Sequence, residues 1–182
     1  MNKFRLSSDN TVLVIIDLQE KLMAAMKDKE KVFNNTNILL AAAKEFNLPV
    51  IQAEQYPKGL GPTAEEVKKN LPDVRYIEKV CFSICSQEIM DYLKELGRTN
   101  ILVTGSETHV CVYQTVRDLV EAKYNVHVIK DAVCSRFDLN HESGLEMMKQ
   151  MGAVINNTET VVFDLLKGSD APQFKVMSRM IK

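Results

Sequence analysis

The chain of 182 residues contains no apolar run close to the roughly 20 residues that a bilayer-spanning helix requires. Its opening segment, MNKFRLSSDN, lacks the apolar core of a secretory signal, so the expectation is a cytoplasmic protein with no membrane partner. An excess of one charge is missing too: 23 Lys and Arg stand against 24 Asp and Glu, a formal net charge of −1. Such a balance creates no global field to attract a polyanion, and nucleic acid is not an expected partner. Cysteine is sparse, with Cys81, Cys85, Cys111 and Cys134 only, and no pair has the CxxC spacing of a zinc site. The histidines His109, His127 and His141 are scattered, with no HxH or HExxH pattern. A disulfide framework is therefore disfavoured, and neither a metal nor another cofactor is expected. No internal repeat, low-complexity tract or linker divides the chain, which reads as a single domain over 1–182 with room for a sizeable core.

What is present is alternation. Short β-branched runs at 11–16, 49–53, 75–80, 100–105, 125–130 and 153–155 read as strands. Between them, 29–46, 86–96, 108–123 and 140–151 carry helical spacing. Strands this apolar, each followed by a helix, predict an α/β fold with a mostly parallel sheet covered on both faces. The stretch 54–74, which includes EQYPKGLGPT, is too rich in Gly and Pro for a simple turn and reads as a long surface loop. Open parallel sheets bind ligands beyond the carboxyl ends of their strands. Polar residues that follow an apolar run are thus the candidates for chemistry: Asp17, Lys79 and the segment GSETHVC.

Cys111 lies at the start of an amphipathic helix whose apolar stripe is Val112, Val116, Leu119 and Val120. On α-helical geometry it sits about 100° off that stripe, which suits a functional thiol better than a core filler. A first-turn position favours a thiolate, although cysteine is also among the most buried residue types, so position alone leaves both readings open. Asp17 after its strand reads first as a helix cap, with a functional carboxylate as the alternative. Lys79 inside an apolar strand demands a partner anion. If strands 1, 3 and 4 are neighbours, a carboxylate, an ammonium and a thiol converge on one crevice, the pattern of an activated nucleophile.

With these residues in place the chain resembles the isochorismatase-like cysteine hydrolases, in the branch of small isochorismatase-domain-containing hydrolases. The likeness runs from VLVIIDLQEKL through QAEQYPKGLGPT and IEKVCFS to VTGSETHVCVYQT and IKDAVCSR. It implies a Rossmann-like three-layer α/β/α sandwich on a six-stranded sheet, a homo-oligomer, and a catalytic triad of Asp17, Lys79 and Cys111. It also implies a cis peptide at Ser106–Glu107 and an oxyanion hole from the amides of Glu107 and Cys111. Gln19, Glu54, Tyr56, Phe82 and Thr108 are the candidate substrate contacts, Glu54 being equally a possible anchor for the loop. Metal-dependent nicotinamidases of the superfamily use histidines after strand 2, and AEQYPKGLG holds none. True isochorismatases do not keep the nucleophilic cysteine. The resemblance therefore implies hydrolysis of a small-molecule C–N bond, an amide, through a thioacyl intermediate. A non-catalytic metabolite-binding or scaffold protein on the same fold is the alternative, and a thiol redox sensor a third reading.

Overall fold

The β-branched runs assemble into one six-stranded sheet in the computed structural model, which describes residues 3–181. The strands are β1 (Thr11–Ile16), β2 (Val50–Gln55), β3 (Arg75–Lys79), β4 (Asn100–Ser106), β5 (Asn125–Cys134) and β6 (Val154–Asn156). Every pairing is parallel and the order is β3-β2-β1-β4-β5-β6. Chain direction across the sheet reverses between β1 and β4, so the crevice at their carboxyl ends is the topological switch point where such sheets hold ligands.

Strand alternation feeds two apolar layers. Leu13 and Ile15 of β1 pack with Phe33, Leu39 and Leu40 of α2 (Lys29–Glu45) and with Val161 and Leu165 of α8 (Thr158–Leu166). Val12, Val14 and Ile16 face the opposite side, against Ile89 and Leu93 of α5 (Gln87–Leu96), Val116 and Leu119 of α6 (Tyr113–Glu121), and Leu145 and Met148 of α7 (Asp138–Gln150). The result is the three-layer α/β/α sandwich expected from the sequence. The edge strands differ from the centre: β1 is buried throughout, whereas β3 is mostly exposed until Lys79.

Departures from the sequence reading have local causes. Segment 54–74 is not structureless: it forms the short turns α3 (Pro57–Leu60) and α4 (Glu65–Lys68), following α1 (Glu20–Met23) in the numbering. Strand β5 runs on to Cys134 through an irregular register opposite Val103 and Gly105. Helix α8 went unpredicted because Val161, Val162, Leu165 and Leu166 are all buried, which erases a clean polar–apolar period. Its start is set by Asn157, whose side chain accepts from Thr160 N at 2.9 Å. Helix α9 (Phe174–Met180) then covers α2 and α8 through Met177.

One glycine sets the geometry of the switch point. Gly105 pairs with Ile16 at φ +130°, and a Cβ built there would lie 2.0 Å from the Ile16 carbonyl oxygen. Only glycine lets β4 approach the end of β1 this closely.

Candidate active site

Asp17 is the first residue beyond β1, fully buried, with φ +51°. A non-glycine residue in the left-handed region carries strain and persists where its surroundings enforce it. Here the enforcement is visible: Asp17 N donates to Ala53 O at 3.1 Å, and Ser106 Oγ donates to Asp17 O at 2.8 Å. The aspartate is therefore clamped between β2 and β4 and does not cap α1, whose preceding residue is Gln19.

Lys79 ends β3, and β2 lies between it and β1, so strands 1 and 3 are not neighbours. The long side chain instead reaches over the end of β2. Its Nζ donates to Asp17 Oδ2 at 2.7 Å and to Gln55 Oε1 at 2.8 Å. Both members of the ion pair are withdrawn from solvent, with side chains 6% and 0% exposed. Asp17 Oδ1, also buried, closes no hydrogen bond among the described residues, yet its carboxylate and the Cys111 thiol perturb each other's protonation. An unpartnered buried carboxylate oxygen beside a thiol is placed to accept that thiol's proton.

Cys111 is only 6% exposed and belongs to the apolar layer beneath α6. The angular argument from the sequence assumed an α-helix, but Thr108–Val112 forms a π-helical turn ahead of α6. Glu107 O accepts from both Val110 N (3.0 Å) and Val112 N (3.2 Å), which widens this turn and changes where residue 111 points. Burial, followed by the negative charge of Asp17, pushes the thiol up to about 12, while Lys79 pulls it down. Burial likewise raises the Asp17 carboxyl above its ordinary range despite the opposing pull of Lys79. Burial thus pushes both groups towards their protonated forms, which argues against a preformed thiolate at rest. Just before the turn, the Ser106–Glu107 peptide is cis.

The remaining sequence candidates fall into separate settings. Gln19 is fully buried and its amide is consumed by the loop: Oε1 accepts from Gln55 N (2.7 Å), and Nε2 donates to Gln55 O (3.0 Å) and Gly61 O (2.7 Å). Glu54 is buried as well; it accepts from Thr63 N and Thr63 Oγ1, both at 2.7 Å, and from Tyr76 Oη at 2.8 Å. These two side chains anchor the loop. Thr108 is fully buried and its hydroxyl meets His141 Nδ1 at 2.9 Å, towards α7. Tyr56 and Phe82 are exposed beyond β2 and β3. The Glu107 carboxylate is held by Arg136, with Nε at 2.7 Å. Beside it, His109 Nδ1 meets Ser135 Oγ at 3.0 Å.

What distinguishes Cys111 from the other thiols is the Asp17–Lys79 pair acting on it, not the upward push of burial. Cys81 is exposed, and burial raises Cys85 to about 11 and Cys134 to about 12. A cavity of about 480 Å³ is bounded by Lys79, Val80, Cys81 and Cys85, whereas one of about 640 Å³ lies away from the triad, between α7 and β6. Gln55 was missed in the sequence, and Gly105 and Ser106 were singled out only as part of GSETHVC, without their contacts to Ile16 and Asp17. Each acts through a cross-strand relationship that becomes visible only with the strand order.

The Isochorismatase domain model matches residues 11–160. A secreted isochorismatase effector of Phytophthora sojae is 38% identical over 98% of this chain and 87% of its own. Isochorismatase domain-containing protein 2 of Danio rerio is 33% identical over 97% and 89%. Among solved structures, a MAR1 ribonuclease from Caenorhabditis elegans superposes with a TM-score of 0.93 at 37% identity, covering 97% of this chain and 92% of that one. The YcaC gene product of Escherichia coli, described as an octameric hydrolase of unknown specificity, gives a TM-score of 0.88 at 25% identity, with coverage of 97% and 90%.

Proposed function

Since this chain belongs to the isochorismatase-like hydrolase family, we propose that it is a cysteine-dependent hydrolase of a small-molecule C–N bond, an amide. The observation that carries the reading is the meeting of a buried Asp17–Lys79 ion pair with the Cys111 thiol at the switch point.

Asp17 takes the proton from Cys111, and the thiolate forms a bond to the carbonyl carbon of the amide. Lys79 offsets the negative charge gathered in the crevice. The amides of Glu107 and Cys111 receive the oxyanion; losing one such donor typically slows a reaction about 10²–10³-fold. When the C–N bond breaks, protonated Asp17 gives its proton to the departing amine. Asp17 then deprotonates a water, which attacks the thioester, and the carboxylic acid leaves as Cys111 regains its proton. Tyr56 and Phe82 flank the approach and contact the substrate in this reading, while Gln19 and Glu54 hold the loop that carries Tyr56. No step uses a metal or cofactor.

Assembly into a homo-oligomer belongs to the same proposal. It is supported by the octameric neighbour and by the exposed side chains of Val80, Phe82, Phe137 and Leu139. So does a cytoplasmic location; no helix among the described residues is long and apolar enough to cross a membrane. The ribonuclease named among the structural neighbours raises RNA as a substrate. The net charge of −1 and the burial of the triad favour a small neutral amide over a polyanion. Incubation with a panel of small amides and with RNA, followed by product analysis on wild type and Cys111→Ala, separates the two.

A further inference from the structure

A buried ammonium at the end of a four-carbon stem keeps one position only if its donors are satisfied from more than one side. Asp17 supplies one acceptor for Lys79. The second is the side-chain oxygen of Gln55 at 2.8 Å, and nothing in the proposed chemistry assigns that residue a part. We infer that Gln55 is a positioning residue, which fixes the Lys79 ammonium over the crevice so that it acts on Asp17 and Cys111 together.

Gln55 is suited to this by how firmly it is itself held. It pairs with Lys79 in the β2–β3 register. Its backbone N–H and C=O are both bound by the Gln19 amide, at 2.7 and 3.0 Å. Its side-chain Nε2 donates to Val80 O at 2.9 Å, which orients Oε1 towards Lys79. On the far side, Tyr56 N donates to Lys79 O at 2.9 Å and ties the two strand ends together. A continuous chain of hydrogen bonds thus runs from Gly61 O through Gln19, Gln55 and Lys79 to Asp17.

The neutrality of the acceptor also matters. A carboxylate at position 55 would hold the ammonium equally well but would cancel its charge, and the crevice would carry two carboxylates against one cation. An amide oxygen positions Lys79 and leaves its positive charge available to the thiolate. Gln55 is accordingly a device for placing charge without adding any.

The inference rests on the triad reading but is tested without turnover. Wild type, Gln55→Met and Gln55→Glu are treated with iodoacetamide between pH 7 and 10, and labelling at each cysteine is followed by peptide mass spectrometry. Thr63→Val serves as a control that loosens the same loop without touching Lys79. The expected result is a roughly tenfold slower labelling of Cys111 at pH 9 in both Gln55 variants, one from a displaced ammonium and the other from a neutralised one. Exposed Cys81 and the Thr63→Val protein should stay within about twofold of wild type. Wild-type labelling of Cys111 in the Gln55 variants would overturn the inference. So would an equal slowing in Thr63→Val, which would make loop support the whole effect. If Gln55→Met does not fold, Gln55→Glu carries the comparison. Because no substrate is involved, failure to hydrolyse any amide would count against the proposed reaction and not against this role.

Discussion

Lys79 Nζ lies 2.7 Å from Asp17 Oδ2 although a whole strand, β2, separates the strands that carry them. The pair spans the carboxyl ends of three strands and is sealed from water. Its members cannot be considered separately: removing either leaves an uncompensated charge in the core.

Lys79→Met should therefore cost stability in a pH-dependent way. The Asp17 carboxyl is already raised in the folded protein, so between its unfolded value near 3.8 and its folded value the native state binds more protons. Stability from this group is greatest at low pH and is lost as pH rises through that window. Without Lys79 the window widens upwards. Urea unfolding should show a loss of about 3–5 kcal/mol at pH 8 and a much smaller loss at pH 5. Equal losses at the two values would mean that Asp17 is not the group left stranded.

Gly105→Ala tests the close approach of β4 to β1. The added Cβ meets the Ile16 backbone at 2.0 Å, and a backbone cannot turn aside as a side chain can. The loss should exceed the ~1–3 kcal/mol usual for overpacking, with poor recovery of folded protein as the practical readout. A variant with wild-type thermal stability would contradict the geometry of the switch point.

Thr63→Val removes a buried hydroxyl that donates to Glu54 at 2.7 Å and receives Gln52 Nε2 at 2.6 Å. Glu54 keeps the Thr63 N–H and the Tyr76 hydroxyl, so the cost should be about 1–3 kcal/mol and local. Hydrogen exchange should accelerate over 56–64 while β1 and β4 stay protected.

The raised thiol of Cys111 predicts an unusual labelling profile. With the group pushed up to about 12, its rate of alkylation should climb with pH without levelling off by pH 10. At neutral pH the exposed Cys81 should be modified first. A plateau for Cys111 near pH 7 would point instead to a resting thiolate.

The strand–helix alternation made the layers legible, because β1, β2, β4 and β5 are apolar enough to declare burial on both faces. Asp17, Lys79 and the turn holding Cys111 were legible as polar breaks after such runs. The route by which they meet was not. A sequence gives no strand order, so Lys79 reaching across β2, and Gln55 standing beside it, had no signal. The off-stripe argument for Cys111 presumed an α-helix where the Glu107 carbonyl accepts two amides and opens a π-turn. Gln19 and Glu54 carried an expectation of substrate contact; their hydrogen bonds to Gln55, Gly61 and Thr63 also tie them to the loop, which for Glu54 was the second reading of the sequence. Hydrogen bonds to main-chain atoms far along the chain leave no trace in composition or periodicity.

The central claim is that Cys111 carries the acyl group, and intact-protein and peptide mass spectrometry after mixing with small amides tests it most directly. The account expects a mass increase equal to the acyl portion, amine lost, on the peptide containing Cys111, with none in Cys111→Ala and little in Asp17→Asn. Amide hydrolysis that persists in Cys111→Ala, or an acyl group found on Cys81 instead, would contradict it.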